Sequence, residues 1–401
     1  MKNNKICVLG LGYIGFPTAI LFANNLFDVY GVEKNEKILK NLDSGIIHID
    51  EPNLNEMALH AIKNKNLRYG TFAKKADIFL ICVPTPIQYE ENNKPDLSYV
   101  KSAVNEILPL LDDGNLIILE STSPVGTVDM IKGIIKNSAA KLSNIKIAYC
   151  PERVLPGNII NEMINNDRVV GGIDEQSTKE ASDLYRQICK GNVYETDAKT
   201  AELCKLAENS FRDINIAFAN ELSLICEREK IDVRKLIKLS NKHPRVDILT
   251  PGIGVGGHCI PIDPWFIVSS YPNYSSLIQN ARKVNNSKTE WVFEMITKEI
   301  KDLGKDQPVV ACFGLSYKPN ADDMRESPAI KIVDKLIADG NNVICVEPHI
   351  DSLEDYQIVD INKALDKSDI NIILVGHDAF KKNTKLSSSE KLVDFCGIIK
   401  N

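Results

Sequence analysis

The sequence lacks a basic excess: 48 Lys and Arg stand against 54 Asp and Glu, for a formal net charge of -6. Such a balance cannot neutralise a phosphate backbone, which argues against nucleic acid as a partner. Closely spaced metal-ligand pairs are missing too. The ten cysteines and six histidines form no CxxC or HxxxH pair, so no metal site is expected. Cys7, Cys82, Cys150, Cys312 and Cys345 stand singly inside apolar runs, where a reduced thiol packs as a small hydrophobe, and the chain reads as intracellular and cytoplasmic. Long apolar runs are scarce. The stretch from Ile6 to Ala23 follows Lys2 and Lys5 and superficially resembles a signal peptide or a membrane span, but Gly10, Gly12, Gly15 and Pro17 interrupt it. No other stretch is long and apolar enough to span a bilayer, so no membrane partner is expected. Short tandem repeats and low-complexity tracts are absent as well.

What is present fits a globular α/β protein. At about 150 residues per domain, 401 residues make two or three domains. The first half alternates short apolar runs with amphipathic stretches, the pattern of a parallel sheet wrapped by crossover helices. Strands are expected at Lys5 to Leu9, Asp28 to Val32, Asp77 to Val83, Asn115 to Leu119, Ile145 to Tyr149 and Arg168 to Gly171, as one doubly wound unit. From Thr200 to Lys230 there is no Gly or Pro, and Leu203, Leu206, Phe211, Ile214, Phe218, Leu222 and Ile225 recur at helical spacing. A Gly/Pro-rich segment runs from Asn241 to Pro264, followed by a helical stretch from Ser275 to Lys305. Strands then return at Pro308 to Phe313, Asn342 to Val346 and Ile370 to Val375, as a second, smaller α/β domain.

The segment from Val8 to Gly15 follows a strand and opens a helix, with Tyr13 and Ile14 between the last two of three glycines. Gly10 allows the tight turn, Gly12 lets a pyrophosphate approach the backbone, and Gly15 lets helix pack on strand. The next strand ends in Glu33, 18 residues past Gly15, where a carboxylate bonds ribose hydroxyls and repels a 2'-phosphate. NAD is therefore expected over NADP, a preference that Lys34 weakens. Three loops follow strands of the same unit: Pro84-Thr85-Pro86, Glu120 to Gly126 with Thr122 inside it, and Cys150 to Val154. In an open parallel sheet ligands bind beyond the carboxyl ends of strands, so these loops should surround the reactive end of the cofactor. Glu152 is then a candidate base, or else a carboxylate that caps the chain or pairs with Arg153.

The most unusual stretch is Pro251 to Pro264, which places Cys259 and Asp263 after four glycines. Such glycine density lets backbone lie close to a ligand. Cys259 is read either as a nucleophile or as an inert thiol. On the long helix Lys205, Asn209 and Arg212 fall at i, i+4 and i+7, either a solvated stripe or the wall of a pocket.

These residues resemble the family of UDP-glucose and GDP-mannose dehydrogenases along essentially the whole chain. The resemblance rests on Glu120 to Gly126, Tyr149 to Gly157, Glu208 to Asp213, His243 to Val246, Gly256 to Cys259 and Asp263 to Phe266. Within the family it is greatest for the bacterial and archaeal branch that acts on UDP-N-acetyl-D-mannosamine. It implies a Rossmann NAD-binding domain over 1-196, a central helical dimerisation domain over 197-300 with the catalytic Lys and Cys loop, and a UDP-sugar-binding α/β domain over 301-401. It also implies oxidation of a sugar C6 hydroxyl to a carboxylate, with two NAD per turnover, for cell-surface polysaccharide. Cys259 would be the nucleophile, Lys205 the acid/base and oxyanion partner, and Asn209 an orienting neighbour. Asp263 would orient water, and Glu152 would be the base for thioester hydrolysis. Arg153, Val154, Arg212, His243, Arg245 and Gly256 would contact the substrate alongside Lys205 and Asn209. His243 and Arg245 are the pair that would reach across a dimer interface, in a homodimer or larger homo-oligomer. In the last domain Tyr317 and Lys318 fall near substrate and Arg325 near NAD phosphate. Pro261 and Ile253 depart from the branch pattern: the first is more like the UDP-N-acetylglucosamine branch, the second stands where proline is common.

Overall fold

The apolar stretch near the N-terminus divides into a strand, Lys5–Leu9, and a helix, Gly15–Asn24, joined by the glycine turn. This is seen in a computed structural model that describes residues 4-91, 93-138, 142-350 and 352-399. The chain divides into two compact units, Met1–Ala207 and Glu208–Asn401.

The first unit is built on an eight-stranded sheet. Its spatial order is Val193–Asp197, Arg168–Gly172, Lys146–Tyr149, Leu116–Leu119, Ile78–Ile81, Lys5–Leu9, Asp28–Val32 and Leu67–Gly70. Neighbours run parallel except Lys146–Tyr149 and Arg168–Gly172, which are antiparallel. All six expected strands are present, and two more close the edges. The edge strands Leu67-Arg68-Tyr69-Gly70 and Val193-Tyr194-Glu195-Thr196-Asp197 are polar because one side faces water, which hides them from a search for continuous apolar runs.

Central strands bury both faces. Ile6, Val8 and Leu80 pack with Phe16, Ile20 and Phe22 on one side, while Cys7, Leu9, Phe79 and Ile81 pack with Val104, Ile107 and Ile131 on the other. Each such side chain contributes about 1.5 to 3 kcal/mol, which fixes the strand register and hence where each strand's final residue stands. Lys5–Leu9 lies between Asp28–Val32 and Ile78–Ile81, so chain order reverses there. Loops leaving those strands flank the crevice where an open α/β sheet takes its ligand.

The long helix runs Ala198–Glu229. Its apolar residues are not uniformly covered. Leu206 is buried, whereas Leu203, Phe211, Phe218 and Ile225 are exposed, the last three at seven-residue spacing. Periodicity identifies an apolar face, not what covers it.

In the second unit the helix Ser276–Asp302 is tied to the long helix by a buried polar cluster. Arg282 Nη1 meets Asp213 Oδ1 at 2.6 Å, and Asn285 Nδ2 donates to the same oxygen at 2.7 Å. A four-stranded parallel sheet follows in the order Asn342–Val346, Val309–Phe313, Ile370–Ile373, Leu392–Asp394. Its last, three-residue strand was missed because it is too short to show a period. No helix among the described residues is long and apolar enough to cross a membrane.

Candidate active site

The dinucleotide turn has the geometry its sequence requires. Gly10 adopts φ +92, and a Cβ there would lie 2.6 Å from the Cys82 carbonyl oxygen. A Cβ on Gly15 would meet the Gly10 carbonyl oxygen at 2.0 Å, so helix and strand approach as only glycine permits. Around Gly12 the corresponding position is open, with nothing within 4 Å. That open backbone at a helix N-terminus fits a dinucleotide pyrophosphate. Beside it Tyr13 is exposed and Ile14 half-buried. Glu33 stands at the end of its strand, with Oε2 accepting from Leu11 N at 3.1 Å and Oε1 from Asn35 N at 2.9 Å. The carboxylate is thus fixed over the turn, where a ribose would lie.

The same turn recurs in the second unit. Gly314 has φ +90, its N–H reaches Val346 O at 2.8 Å, and Leu315 N donates to Glu347 Oε2 at 2.8 Å. Glu347, however, is buried and faces His377 Nε2 at 3.3 Å. Hydrogen bonds from His377 and from the Leu315 N–H hold its carboxyl below the usual range despite burial. This acid serves its own turn rather than a ribose.

Beyond the first sheet the loops interlock. Thr85 Oγ1 donates to Thr122 O at 2.7 Å, next to Pro84, and Ser121 Oγ donates to Val83 O at 2.7 Å. Beneath them lies a polar cluster that sequence reasoning did not assign. Glu120 Oε1 accepts from Tyr185 OH at 2.5 Å, and Oε2 accepts from Thr18 Oγ1 and Cys82 Sγ, both at 3.1 Å. Arg168 pairs with Glu152 at 3.1 Å and lies over the Tyr185 ring. Burial raises the Glu120 pKa, and Arg168 opposes the rise. The only available signal was an arginine opening an otherwise apolar strand, a charge that must be paired where it is buried.

Glu152 is buried with this pair. Glu152 Oε1 accepts from the Arg153 backbone N–H at 2.7 Å, and the Arg153 guanidinium donates to Asp167 O at 3.1 Å. Arg168 reaches Glu152 from the neighbouring strand. Val154 packs on the core. Lys205 is buried and donates from Nζ to the Glu152 carbonyl oxygen at 2.7 Å. Glu202, one turn earlier, accepts the Gly126 and Val128 N–H groups at 2.6 and 2.8 Å, anchoring the helix on the loop that contains Thr122.

Removing Arg168 leaves two carboxyl groups buried without their cation. An Arg168→Met substitution should cost about 3 to 5 kcal/mol. Because burial already raises the Glu120 pKa, protonation at low pH relieves the repulsion. The loss by urea unfolding should therefore be smaller at pH 5 than at pH 8; equal losses at both would mean the carboxyls are not coupled through Arg168.

In the second unit Asn209 is buried and its Nδ2 donates to Asp263 Oδ2 at 2.6 Å. Asp263 opens the helix Asp263–Ser270, and its N–H donates to Cys259 O at 2.8 Å. Cys259 itself is exposed, unlike the other nine cysteines. Burial pushes Cys7 up to about 11 and Cys150, Cys345 and Cys396 up to about 12, which makes those thiols poor nucleophiles. The loop before Cys259 is held on the last domain's motifs: Gly257 N donates to Arg325 O at 2.9 Å, and Gly256 and Gly257 lie against Tyr317 with no room for a Cβ. The Arg325 guanidinium meets Asp323 at 2.6 Å, and Lys318 lies 5.8 Å from the Tyr317 ring centre. Arg212 is exposed, and so are His243 and Arg245, which sit on a turn after the helix Val233–Ser240. The solvated-stripe reading thus holds for Arg212 in this single chain and fails for Lys205 and Asn209.

Comparison with known proteins agrees with this architecture. Three parts match the UDP-glucose/GDP-mannose dehydrogenase family: the NAD binding domain at residues 4-189, the central domain at 199-287 and the UDP binding domain at 311-401. The chain is 46% identical to UDP-N-acetyl-D-mannosamine dehydrogenase of Campylobacter jejuni, over 98% of this chain and 99% of that protein. It is 43% identical to NDP-N-acetyl-D-galactosaminuronic acid dehydrogenase of Ralstonia nicotianae, over 98% and 96%. The solved structure of the UDP-D-ManNAc dehydrogenase from Pyrococcus horikoshii aligns with a TM-score of 0.90 at 34% identity, covering 99% of this chain and 96% of that one.

Proposed function

The chain belongs to the UDP-glucose/GDP-mannose dehydrogenase family and carries out NAD-dependent oxidation of a nucleotide sugar, and from that premise we propose that its substrate is UDP-N-acetyl-D-mannosamine. The product would be the C6 carboxylate, UDP-N-acetyl-D-mannosaminuronate. The near full-length identity to the Campylobacter jejuni enzyme supports this sugar best.

NAD supplies the hydride acceptor for both oxidations, two molecules per sugar. The turn from Gly10 to Gly15, with Tyr13 and Ile14, would hold its pyrophosphate and Glu33 its ribose. Pro84, Thr85 and Thr122 would flank its reactive end, and Arg325 would exchange Asp323 for a phosphate. An aldehyde carbon cannot release hydride until a nucleophile adds to it. Cys259 thiolate would form the carbon–sulfur bond, sending the carbonyl electron pair to oxygen, where the Lys205 ammonium stabilises it. Loss of hydride from that thiohemiacetal leaves a thioester on Cys259. Water oriented by Asp263 and Asn209, with Glu152 taking its proton, would then cleave the thioester and return the thiolate. The exposed position of Cys259 at the end of its glycine loop supports this covalent route.

Arg153, Val154, Arg212, Gly256, Tyr317 and Lys318 are the remaining proposed substrate contacts. The exposed apolar row Phe211, Phe218 and Ile225 supports a homodimer through the long helix, which would also bring His243 and Arg245 to a partner's substrate. The three-part division at 1-196, 197-300 and 301-401 assigns cofactor, dimerisation and UDP-sugar roles in turn. A cytoplasmic setting and a cell-surface polysaccharide product complete the reading.

Two rivals have specific support: UDP-N-acetylglucosamine through Pro261, and an N-acetylgalactosamine nucleotide through the Ralstonia relative. A panel of these with UDP-glucose separates them. The mannosamine nucleotide should exceed each rival by about tenfold or more in kcat/KM, with two NADH formed per acid. A higher value for any rival would reassign the sugar.

A further inference from the structure

Of the six histidines, His377 alone is fully buried, and the chemistry proposed above gives it no part. It follows the strand Ile370–Ile373 and leads into the short helix Asp378–Lys381. An imidazole taken out of water needs partners for both ring nitrogens. Here both have them. Nδ1 accepts from the Asn320 N–H at 3.0 Å, which assigns the ring proton to Nε2. Nε2 faces Glu347 Oε2 and Ser316 Oγ, each at 3.3 Å. The Phe380 ring stands edge-on to the imidazole, with centres 5.2 Å apart.

The partners of that ring lie on one segment. Residues 314 to 327 join the strand Val309–Phe313 to the helix Pro328–Ala338 with no helix or strand of their own, so side-chain hydrogen bonds must give the segment its shape. At its start Glu347 Oε2 accepts the Leu315 and Ser316 N–H groups at 2.8 and 3.1 Å, and Ser316 Oγ donates to Lys318 O at 2.8 Å. Farther along, Asn320 and Asp378 bond reciprocally. Asn320 Nδ2 donates to Asp378 Oδ2 at 2.9 Å, and Asp378 N donates to Asn320 Oδ1 at 3.0 Å. His377 therefore touches Ser316 with one nitrogen and Asn320 with the other, and Tyr317 and Lys318 lie between the two points.

We propose that His377 is a positioning residue for the nucleotide: by pinning Ser316 and Asn320 it holds Tyr317 and Lys318 in the shape that receives the UDP part of the substrate. The proposal rests on the assignment of Tyr317 and Lys318 as substrate contacts. A lysine is a point charge on a flexible stem, so its aim depends on where its backbone is fixed. Without the pin, the segment would be ordered anew at each binding event. That cost appears as lost affinity.

UDP is the probe, titrated by calorimetry into the full-length enzyme. His377→Asn puts an amide oxygen near the place of Nδ1, where it still accepts the Asn320 N–H. His377→Gln puts its amide near the place of Nε2 and leaves that N–H without its acceptor. The Gln variant should bind UDP about fivefold more weakly, the worth of roughly one hydrogen bond, with KM for the nucleotide sugar raised alike and kcat little changed. The Asn variant should bind UDP as the wild type does. A role in packing alone would lower the melting temperature of both variants and leave UDP affinity where it was. Wild-type affinity in the Gln variant, or equal losses in both, would overturn the proposal. Should the Gln variant fail to fold, Asp378→Ala, at an exposed position, removes the other tie on Asn320 and should also weaken UDP binding; unchanged affinity there is the contrary result. Lys318→Met tests the premise separately. If it binds UDP normally, the assignment of substrate contacts fails and the proposal with it; if it loses affinity while His377→Gln does not, the proposal alone fails.

Discussion

A Cys259→Ser variant is expected to form no free uronic acid at a measurable fraction of the wild-type rate, a loss of at least about a thousandfold. Oxidation of an alcohol to an acid removes two hydrides, and the second leaves only from a tetrahedral carbon bearing oxygen. A serine hydroxyl is far less nucleophilic than a thiolate near neutral pH. The two thiols beneath the first-unit loops are poor substitutes: burial raises the Cys82 pKa well above normal and pushes Cys150 up to about 12. NAD binding, read by fluorescence, should be unchanged, because Cys259 belongs to the second unit and the dinucleotide turn to the first. Acid production at the wild-type rate would refute the covalent route.

Lys205→Met should lower kcat by about a thousandfold, some 4 kcal/mol, since on the proposed route one side chain would serve as oxyanion donor and as acid/base. Methionine keeps the length of the stem and removes the ammonium. Lys205 is buried with Nζ on the Glu152 carbonyl oxygen, so folding must be checked by circular dichroism and the melting temperature. The informative split is kinetic. Loss of an interaction made mainly in the transition state lowers kcat and kcat/KM together, whereas loss of a ground-state contact raises KM alone. A variant with normal kcat and raised KM would make Lys205 a binding residue only.

Much of the fold was legible because apolar periodicity is a direct consequence of burial. The central strands, four to five residues with continuous apolar faces, and the two long helices appear within a few residues of their expected ends. Polar edge strands were not legible, since their pattern reflects water on one side. Of the site, glycine positions could be read because a positive φ or a backbone approach leaves glycine no substitute, as Gly10 and Gly15 illustrate. Lys205 and Asn209 could be placed on one helix face but not assigned as buried, because burial depends on partners distant in sequence. Glu120, Arg168 and Tyr185 went unassigned for the same reason: their pairing spans up to 65 residues of chain, and nothing local marks it.

The most direct measurement is rapid acid quenching of the wild-type enzyme during a single turnover with UDP-N-acetyl-D-mannosamine and NAD, followed by mass analysis of the peptide containing Cys259. The covalent route predicts a sugar-nucleotide acyl adduct on Cys259 that rises before free acid and decays as the acid appears. Formation of two NADH and free acid with that peptide unmodified at every time point would contradict it.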